Sequence, residues 1–474
     1  MRDGVLDRSL LSPGRYWLIV VIFTILIERM FMLMRNLINN RNYLTVSSAI
    51  SQVSSRIFNM VSNFVVLSIL ARNLTSEEFG FWGLLLSGYQ IVQGFDLGLG
   101  SALRNSVTRY LIAGENDRAR DVIRSALFLT VSAAMIAVPI FVFAPGIPAL
   151  FGVSGVSQFS STIRMVLSLS GFMISAGLIF QLYYCWSEIR LLSALETMRP
   201  IAQIALIFFL SKAGAPFGWY AAAFYGAFIG VGGLEVILLF RRRAWNVLEI
   251  PAFRSDGRDS MWITILLSNI RPILKESGAF SLISAAAAIM GSIDSVIVSH
   301  VSGVVSVGYY SVVQKMYFAG IALHITFLMN YWKIYTEKFH DRDFVWIRRT
   351  LIRYGLITFG VAFFVAMACV AEGRAVVKVW TGLDVGNPYL FLTFGIWMLL
   401  AMLNNHVSIF LNAVGCLRTQ AVVMWVSIAI NIPLAIALGR QYGPIGVNFS
   451  SIISTVFVLS VNILVSGRVL QKQG

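Results

Sequence analysis

Ala71-Arg72-Asn73-Leu74-Thr75-Ser76-Glu77-Glu78-Phe79-Gly80-Phe81-Trp82 is a short polar loop that closes on a glycine and an aromatic pair, and it stands between two long apolar runs. The same outline returns 228 residues later at Ser299 to Tyr310, which ends Val307-Gly308-Tyr309-Tyr310. Working outward from both loops, apolar runs bounded by charges, Gly and Pro predict helices at 48–70, 80–103, 123–144, 162–184, 195–211 and 217–240. A second set follows at 279–301, 305–330, 351–370, 388–411, 419–438 and 444–466. A helix rises about 1.5 Å per residue, so about 20 residues cover a hydrocarbon core of roughly 30 Å. Only the fifth run sits at the short limit. The two sets of six are divided by the basic stretch from Arg241 to Lys275. Such repeats build secondary transporters, with the substrate site at the repeat interface near the membrane midplane. Because each half holds an even number of spans, the halves run in the same sense, related by a pseudo-two-fold axis along the membrane normal. The expectation is an all-α polytopic membrane protein with twelve core transmembrane helices in two six-helix lobes around a central cavity. The N-lobe is 46–243, a cytosolic basic linker 244–278, and the C-lobe 279–474.

Composition agrees with that reading. Of 474 residues, 57% are hydrophobic and 12% charged, against about 25% charged in an ordinary soluble domain. The net charge of +15 comes from 37 Lys and Arg against 22 acids. It calls for no nucleic-acid partner, because cytosolic loops of polytopic proteins collect basic residues. Every second loop is rich in Lys and Arg, while the alternate loops hold only Arg72, Lys212, Arg374, Lys378 and Arg440, with Arg164 at a helix start. Both ends of the twelve-helix core are therefore expected in the cytosol. Residues 1–45 form an extension whose apolar segment 16–34 contains the charged pair Glu28-Arg29. It reads as a thirteenth span, a surface segment, or a misassigned start with translation beginning near Met34. No A-x-A pattern follows it. Cys185, Cys369 and Cys416 have no close spacing, so neither a disulfide framework nor a zinc site is indicated.

At this point the residues resemble a family. Ala71-Arg72-x-Leu74-x-x-Glu77-x-Phe79-Gly80, followed by Phe95-Asp96-Leu97-Gly98-Leu99-Gly100-Ser101-Ala102-Leu103-Arg104, is similar to the first two helices of polysaccharide flippases in the multidrug/oligosaccharidyl-lipid/polysaccharide exporter superfamily. Asp294, then Gly308-Tyr309-Tyr310-Ser311 and Gln314-Lys315, resembles that family's seventh and eighth helices. The resemblance covers residues 40 to 470. It implies two six-helix lobes that move an undecaprenyl-pyrophosphate-linked oligosaccharide repeat unit, of the O-antigen type, from the cytosolic to the periplasmic leaflet of the bacterial inner membrane. It implies as partners the lipid-linked oligosaccharide, membrane lipids, a polysaccharide polymerase and a chain-length regulator. The chain lacks the two further helices expected of lipid II flippases, which disfavours that branch.

Ionisable residues at membrane depth are costly and mark cavities or bundle interiors. Arg56 is expected about eight residues into the first helix and Lys315 about ten into the eighth, both near the middle, where they form a cationic cavity for a pyrophosphate or acidic sugar or are tied to carboxylates as structure. Asn63, Gln90 and Gln93 add neutral hydrogen-bonding groups of the sort sugars use. Asp294 is the candidate for H+ or Na+ coupling, against a structural bridge to Lys315 or Arg56. Asp96 and Arg104 are placed at a gate near the cytosolic end of the second helix, and the repeat sets His324 opposite Asp96; a packed histidine is the plainer reading. Asn404, Asn405, His406 and Gln181 read equally as interhelix hydrogen bonding. Tyr183, Tyr184 and Trp186 read as interfacial anchors. Among Pro139, Pro145, Pro148 and Pro433, Pro433 lies deepest and is the expected hinge. Gly98-Leu99-Gly100-Ser101-Ala102-Leu103 lacks the third Gly of a dinucleotide loop, and neither G-x-x-x-x-G-K-[ST] nor H-E-x-x-H occurs. No enzymatic activity, cofactor or metal is expected. The competing reading is a cation-coupled multidrug antiporter of the same superfamily, in which acidic groups should dominate the cavity. A membrane-embedded glycosyl-transfer enzyme would need a longer exterior loop.

Overall fold

The computed structural model describes residues 43–94, 99–144, 146–152, 157–186, 188–243 and 259–473. Contacts divide the chain into Met1–Ser54 and Ser55–Gly474, and all packing below lies within the second unit. The apolar segment 16–34, Asp96 and linker residues 244–258 fall outside the described residues. Every regular element described is a helix: α1 Tyr43–Asn73, α2 Ser76–Gly94, α3 Leu99–Ile112, α4 Asn116–Phe143, α5 Ile147–Leu150, α6 Ser157–Cys185, α7 Ile189–Ala213 and α8 Phe217–Arg243. They continue with α9 Asp259–Ser302, α10 Val304–His340, α11 Phe344–Thr381, α12 Pro388–Ala413, α13 Leu417–Tyr442 and α14 Pro444–Gln473. Ten of these are long and apolar enough to cross a membrane. Two more, α2 and α6, have 19 and 29 residues, so the twelve expected spans each have a helix.

The differences from expectation are local and have physical causes. The second helix, expected at 80–103, is described as α2 up to Gly94 and as α3 from Leu99, with 95–98 outside the described residues. A Cβ on Gly94 would collide with Ala288, so α2 lies tight against α9 there. The fifth span runs over 25 residues, with Pro200 inside it, which removes its shortness. Pro139 also lies inside a helix, beside the expected Pro433. α9 passes unbroken from Asp259 through position 279, so the last part of the linker and the seventh span are one helix.

One lobe is α1–α8, with α4 and α8 packed on α6, and α7 on α8; the other is α9–α14, with α12 and α13 packed on α14. The seam between them is chiefly α2 against α9 and α10, with α3 and α4 also against α9. Gly80, Gly83, Ser87, Gln90 and Gly94 repeat at three- and four-residue steps and so lie on one face of α2. Small residues let helix backbones approach closely inside a membrane, and here a Cβ on Gly80 would collide with the Val304 carbonyl and one on Gly83 would lie 2.5 Å from Ser311 Oγ. Lipid-facing surfaces are the reverse: Met135, Ile136 and Ile140 of α4 and Leu356, Phe359 and Phe364 of α11 are exposed.

At the turn joining α11 to α12, Arg374 Nε and NH2 donate to Asp384 at 2.7 and 3.2 Å, and Lys378 Nζ donates at 3.2 Å. The Arg374 pair first, then Lys378, hold the Asp384 carboxyl down at about 2. A depressed carboxylate stabilises the fold above its unfolded value of about 3.9, and that contribution is lost as pH falls through the folded value. In thermal unfolding of the solubilised protein, the deficit of Asp384→Asn relative to wild type should therefore stay constant from pH 7 to about 4 and shrink toward nothing near about 2. A deficit that persists unchanged at the acid end contradicts this ion pairing.

Candidate functional site: a cleft between the lobes

At one end of the bundle the lobes meet through polar contacts. Trp380 Nε1 of α11 donates to the Phe64 carbonyl of α1 at 2.9 Å, Ser68 Oγ donates back to the Trp380 carbonyl at 2.6 Å, and Arg72 NH2 donates to the Val379 carbonyl at 2.7 Å. The guanidinium thus caps the C-terminal end of α11, where carbonyls are unpaired and the helix dipole is negative. Ser299 Oγ donates to the Phe151 carbonyl at 3.1 Å, and His300 Nε2 pairs with the Ala149 carbonyl at 3.2 Å. This is the closed end.

Just inside it, Leu67 of α1, Gln90 of α2 and Gln314 and Lys315 of α10 line one small pocket. Gln90 also accepts from Ser292 Oγ of α9 at 2.9 Å. Moving away from the closed end, α1 turns to its own lobe: Asn59 Nδ2 donates to the Glu196 carbonyl at 3.4 Å, and Thr197 Oγ1 donates to Ser55 Oγ at 3.2 Å. Beyond Lys315, α10 turns to the other lobe, with Gly320 against Met398 and His324 Nε2 paired with Thr358 Oγ1 at 3.1 Å. The two helices diverge, and the space between them is a cleft whose apex is Lys315.

Helical spacing sets which α1 residues face it. Arg56, Asn63 and Leu67 stand at i, i+7 and i+11, within about 40° of one another around the axis, and Leu67 is at the apex pocket. Arg56 and Asn63 are both exposed. Arg56 therefore shares the cleft with Lys315, but roughly 16 Å nearer the mouth. α1 continues to Asn73 at the closed end, about 25 Å beyond Arg56. Asn63 Nδ2 donates to the Asn59 carbonyl at 2.9 Å, and Gln93 Nε2 is buried with no hydrogen-bond partner among the described residues.

The N-lobe wall near the mouth carries charges that the sequence did not single out. Arg199 lies inside α7 and pairs with Glu235 of α8 at 3.4 Å, their side chains 14% and 2% exposed. Its guanidinium stacks over Phe228 at 3.8 Å and faces Phe180 at 5.2 Å. A desolvated cation over an aromatic face gains about 2 kcal/mol. Tyr183 is not an interfacial anchor; it is buried and donates to the Glu235 carbonyl at 2.6 Å. Arg104 lies 5.7 Å over the Tyr184 ring, and Tyr184 also interacts electrostatically with Glu196 and Arg56. The signal that could have found the pair is an Arg near the start of one span and a Glu near the end of the next, at matching depth in neighbouring antiparallel helices.

In the C-lobe, Asp294 is 5% exposed and bridges neither Lys315 nor Arg56. It accepts from Tyr310 OH at 3.1 Å and from Ser451 Oγ at 2.7 Å, and Asn431 Nδ2 donates to Ser451 and Ser450 Oγ at 3.2 and 3.3 Å. Among the described residues, Asp294 Oδ1 and Ser295 and Ser454 Oγ are buried without a hydrogen-bond partner. Asp294, Tyr310, Asn431 and Ser451 bring an oxygen-rich cluster together at the junction of α9, α10, α13 and α14. His324 is paired with Thr358 within its own lobe, and Asp96, its expected counterpart at the gate, lies outside the described residues. His406 Nε2 pairs with the Leu351 carbonyl at 3.1 Å, and Asn404 Oδ1 accepts from Asn462 at 2.9 Å; both are interhelix contacts.

Fold and helix lengths together define an all-helical, multi-pass membrane protein of two lobes. The chain belongs to the family described as polysaccharide biosynthesis protein, whose match covers residues 45–332. No curated protein matches the sequence. Among solved structures, an inward-facing multidrug resistance MATE family transporter of the MOP superfamily superposes with a TM-score of 0.73 at 14% identity, covering 90% of this chain and 98% of that one. A structure of an outward-facing MATE family transporter reaches 0.57 at 14% identity, covering 91% and 96%. The lipid II flippase MurJ in an inward closed conformation reaches 0.61 at 13% identity, covering 89% and 87%.

The glycine at the closed end offers a test of this arrangement. With Cys185, Cys369 and Cys416 replaced and Ser311→Cys introduced beside Gly83, Gly80→Val should raise labelling of that cysteine by a membrane-impermeant maleimide added from the closed side by roughly tenfold, since the added methyl groups have no room against Val304. Unchanged labelling would mean that this contact does not hold the lobes shut.

Proposed function

We propose that the chain is a flippase that carries a lipid-linked oligosaccharide, an undecaprenyl-pyrophosphate repeat unit, from the cytosolic to the periplasmic leaflet of a bacterial inner membrane by alternating access. The observation that carries this reading is the spacing of the two cleft cations, Arg56 at the mouth and Lys315 roughly 16 Å deeper at the apex. In this reading the carrier's diphosphate engages Arg56 while a glycan several sugars long reaches inward to Lys315, Asn63 and Gln90. The divergence of α1 and α10 leaves a side opening through which a polyprenyl tail stays in the bilayer. The basic loops lie at the open end, which supports a cytosolic mouth and cytosolic core ends. Such a cycle asks for positioning and charge stabilisation and for no covalent chemistry, and so for no enzyme activity. A polymerase and a chain-length regulator would act on the product in the outer leaflet.

Coupling to H+ or Na+ is assigned to Asp294. Its Oδ1 is unsatisfied beside hydroxyl and amide groups, and a bound cation or proton would complete that set.

In a host deleted for this gene, Arg56→Glu and Lys315→Glu should each lower surface polysaccharide at least tenfold at equal membrane expression, with lipid-linked units accumulating in the cytosolic leaflet. Full polymer with both variants would overturn the cationic path; normal polymer in the deletion itself, with altered drug tolerance, would replace the flippase by an antiporter. For Asp294→Asn, transport in vesicles should no longer respond to an imposed proton or sodium gradient, and a retained response to both removes it as the coupling group.

A further inference from the structure

The charges in the N-lobe wall balance only while the cleft is empty. Glu235 is 2% exposed and paired with Arg199, whose guanidinium is fixed between Phe228 and Phe180 with Nε buried and unpartnered. Arg199 cannot swing to serve a second acid. Glu196 lies one turn earlier on the same face of α7 and interacts electrostatically with Arg199, Arg56 and Glu235. Two carboxylates therefore share one immobile guanidinium, and the second counter-charge is Arg56 on the cleft face of α1. The other titratable or charged groups facing this wall are Arg104 of α3 and Tyr184 of α6, stacked on each other, and Tyr89 of α2, which interacts with Arg199.

We propose that Glu196 is a proton-exchange site whose occupancy is set by whether an anion holds Arg56. The proposal rests on the cleft being an anion path. When a diphosphate oxygen engages the Arg56 guanidinium, one carboxylate in a poorly solvated wall loses its counter-charge and gains an anionic neighbour. A proton taken from water at the open mouth then forms an O–H bond on a Glu196 carboxylate oxygen. No other bond changes, and the proton returns to water when the anion leaves. A metal cation would not serve in its place, because it would sit against two guanidinium groups, whereas a proton needs no coordination shell. By linkage, anion affinity rises as pH falls.

The test uses the full-length chain in lipid nanodiscs with inorganic pyrophosphate as the probe. Calorimetry should show binding that weakens about tenfold in Arg56→Gln. Infrared difference spectra should show the carbonyl stretch of a protonated carboxylic acid on pyrophosphate addition, present in wild type and Glu196→Asp and absent in Glu196→Gln. Binding with no such band, or a band that survives in Glu196→Gln, overturns the proton site and leaves the anion path standing. No binding of pyrophosphate overturns the anion path and the proton site together. The acid-retaining Glu196→Asp separates loss of the proton from loss of the fold.

Discussion

The close approach of α2 to α9 and α10 is the constraint on which the rest of the molecule depends. It is made by what α2 lacks: Gly80, Gly83 and Gly94 present bare backbone to Val304, Ser311 and Ala288. Without a hydrophobic drive between helices in lipid, such packing is what holds two lobes together. The same stripe places Gln90 and Lys315 at the top of the cleft, because a polar residue at one step of a glycine face points where its neighbours point. The seam that joins the lobes also builds the apex of the site.

The polar contacts at the closed end have a different character. The hydrogen bonds that Ser68, Arg72 and Trp380 make between α1 and α11 connect helices of opposite lobes, and membrane hydrogen bonds of this kind contribute about 0.6 kcal/mol each. Together they amount to about 2 kcal/mol, small enough to break in a working cycle. The Arg199–Glu235 pair lies within one lobe, and removing one partner of a buried pair costs about 3–5 kcal/mol. The stronger electrostatic contact thus lies inside the N-lobe, and weaker contacts join the two lobes at the closed end.

How much of this was legible in the sequence follows from the range of each contact. The repeat at Phe79-Gly80 and Val307-Gly308 was readable as pattern, and the two sites turn out to touch: a Cβ on Gly308 would lie 3.0 Å from Phe79. The helices were readable because a span must be apolar for about 20 residues. Arg199 was not singled out because nothing near it in the chain marks its role; only Phe180, Phe228 and Glu235, from two other helices, make a buried guanidinium tolerable there. Asp294 was singled out as a lone acid, but its partners Ser451 and Asn431 are hydroxyl and amide groups on distant helices, without the sequence contrast of a charge.

The distribution of charge also bears on direction. The cleft wall on the N-lobe is a mixed set, with Arg56, Arg199, Glu196 and Glu235 close to neutral as a group, while Lys315 at the apex has no acid paired with it among the described residues. An anion approaching from the mouth therefore meets a balanced surface first and an uncompensated cation only at depth. Its attraction grows as it moves inward and water is excluded, because the same charge acts more strongly in a lower dielectric. At the closed end the arrangement is reversed: Arg374 and Lys378 are neutralised in part by Asp384, and Arg72 by the carbonyls of α11. The cations at that end are thus held by partners, while the one at the apex is not paired with an acid among the described residues.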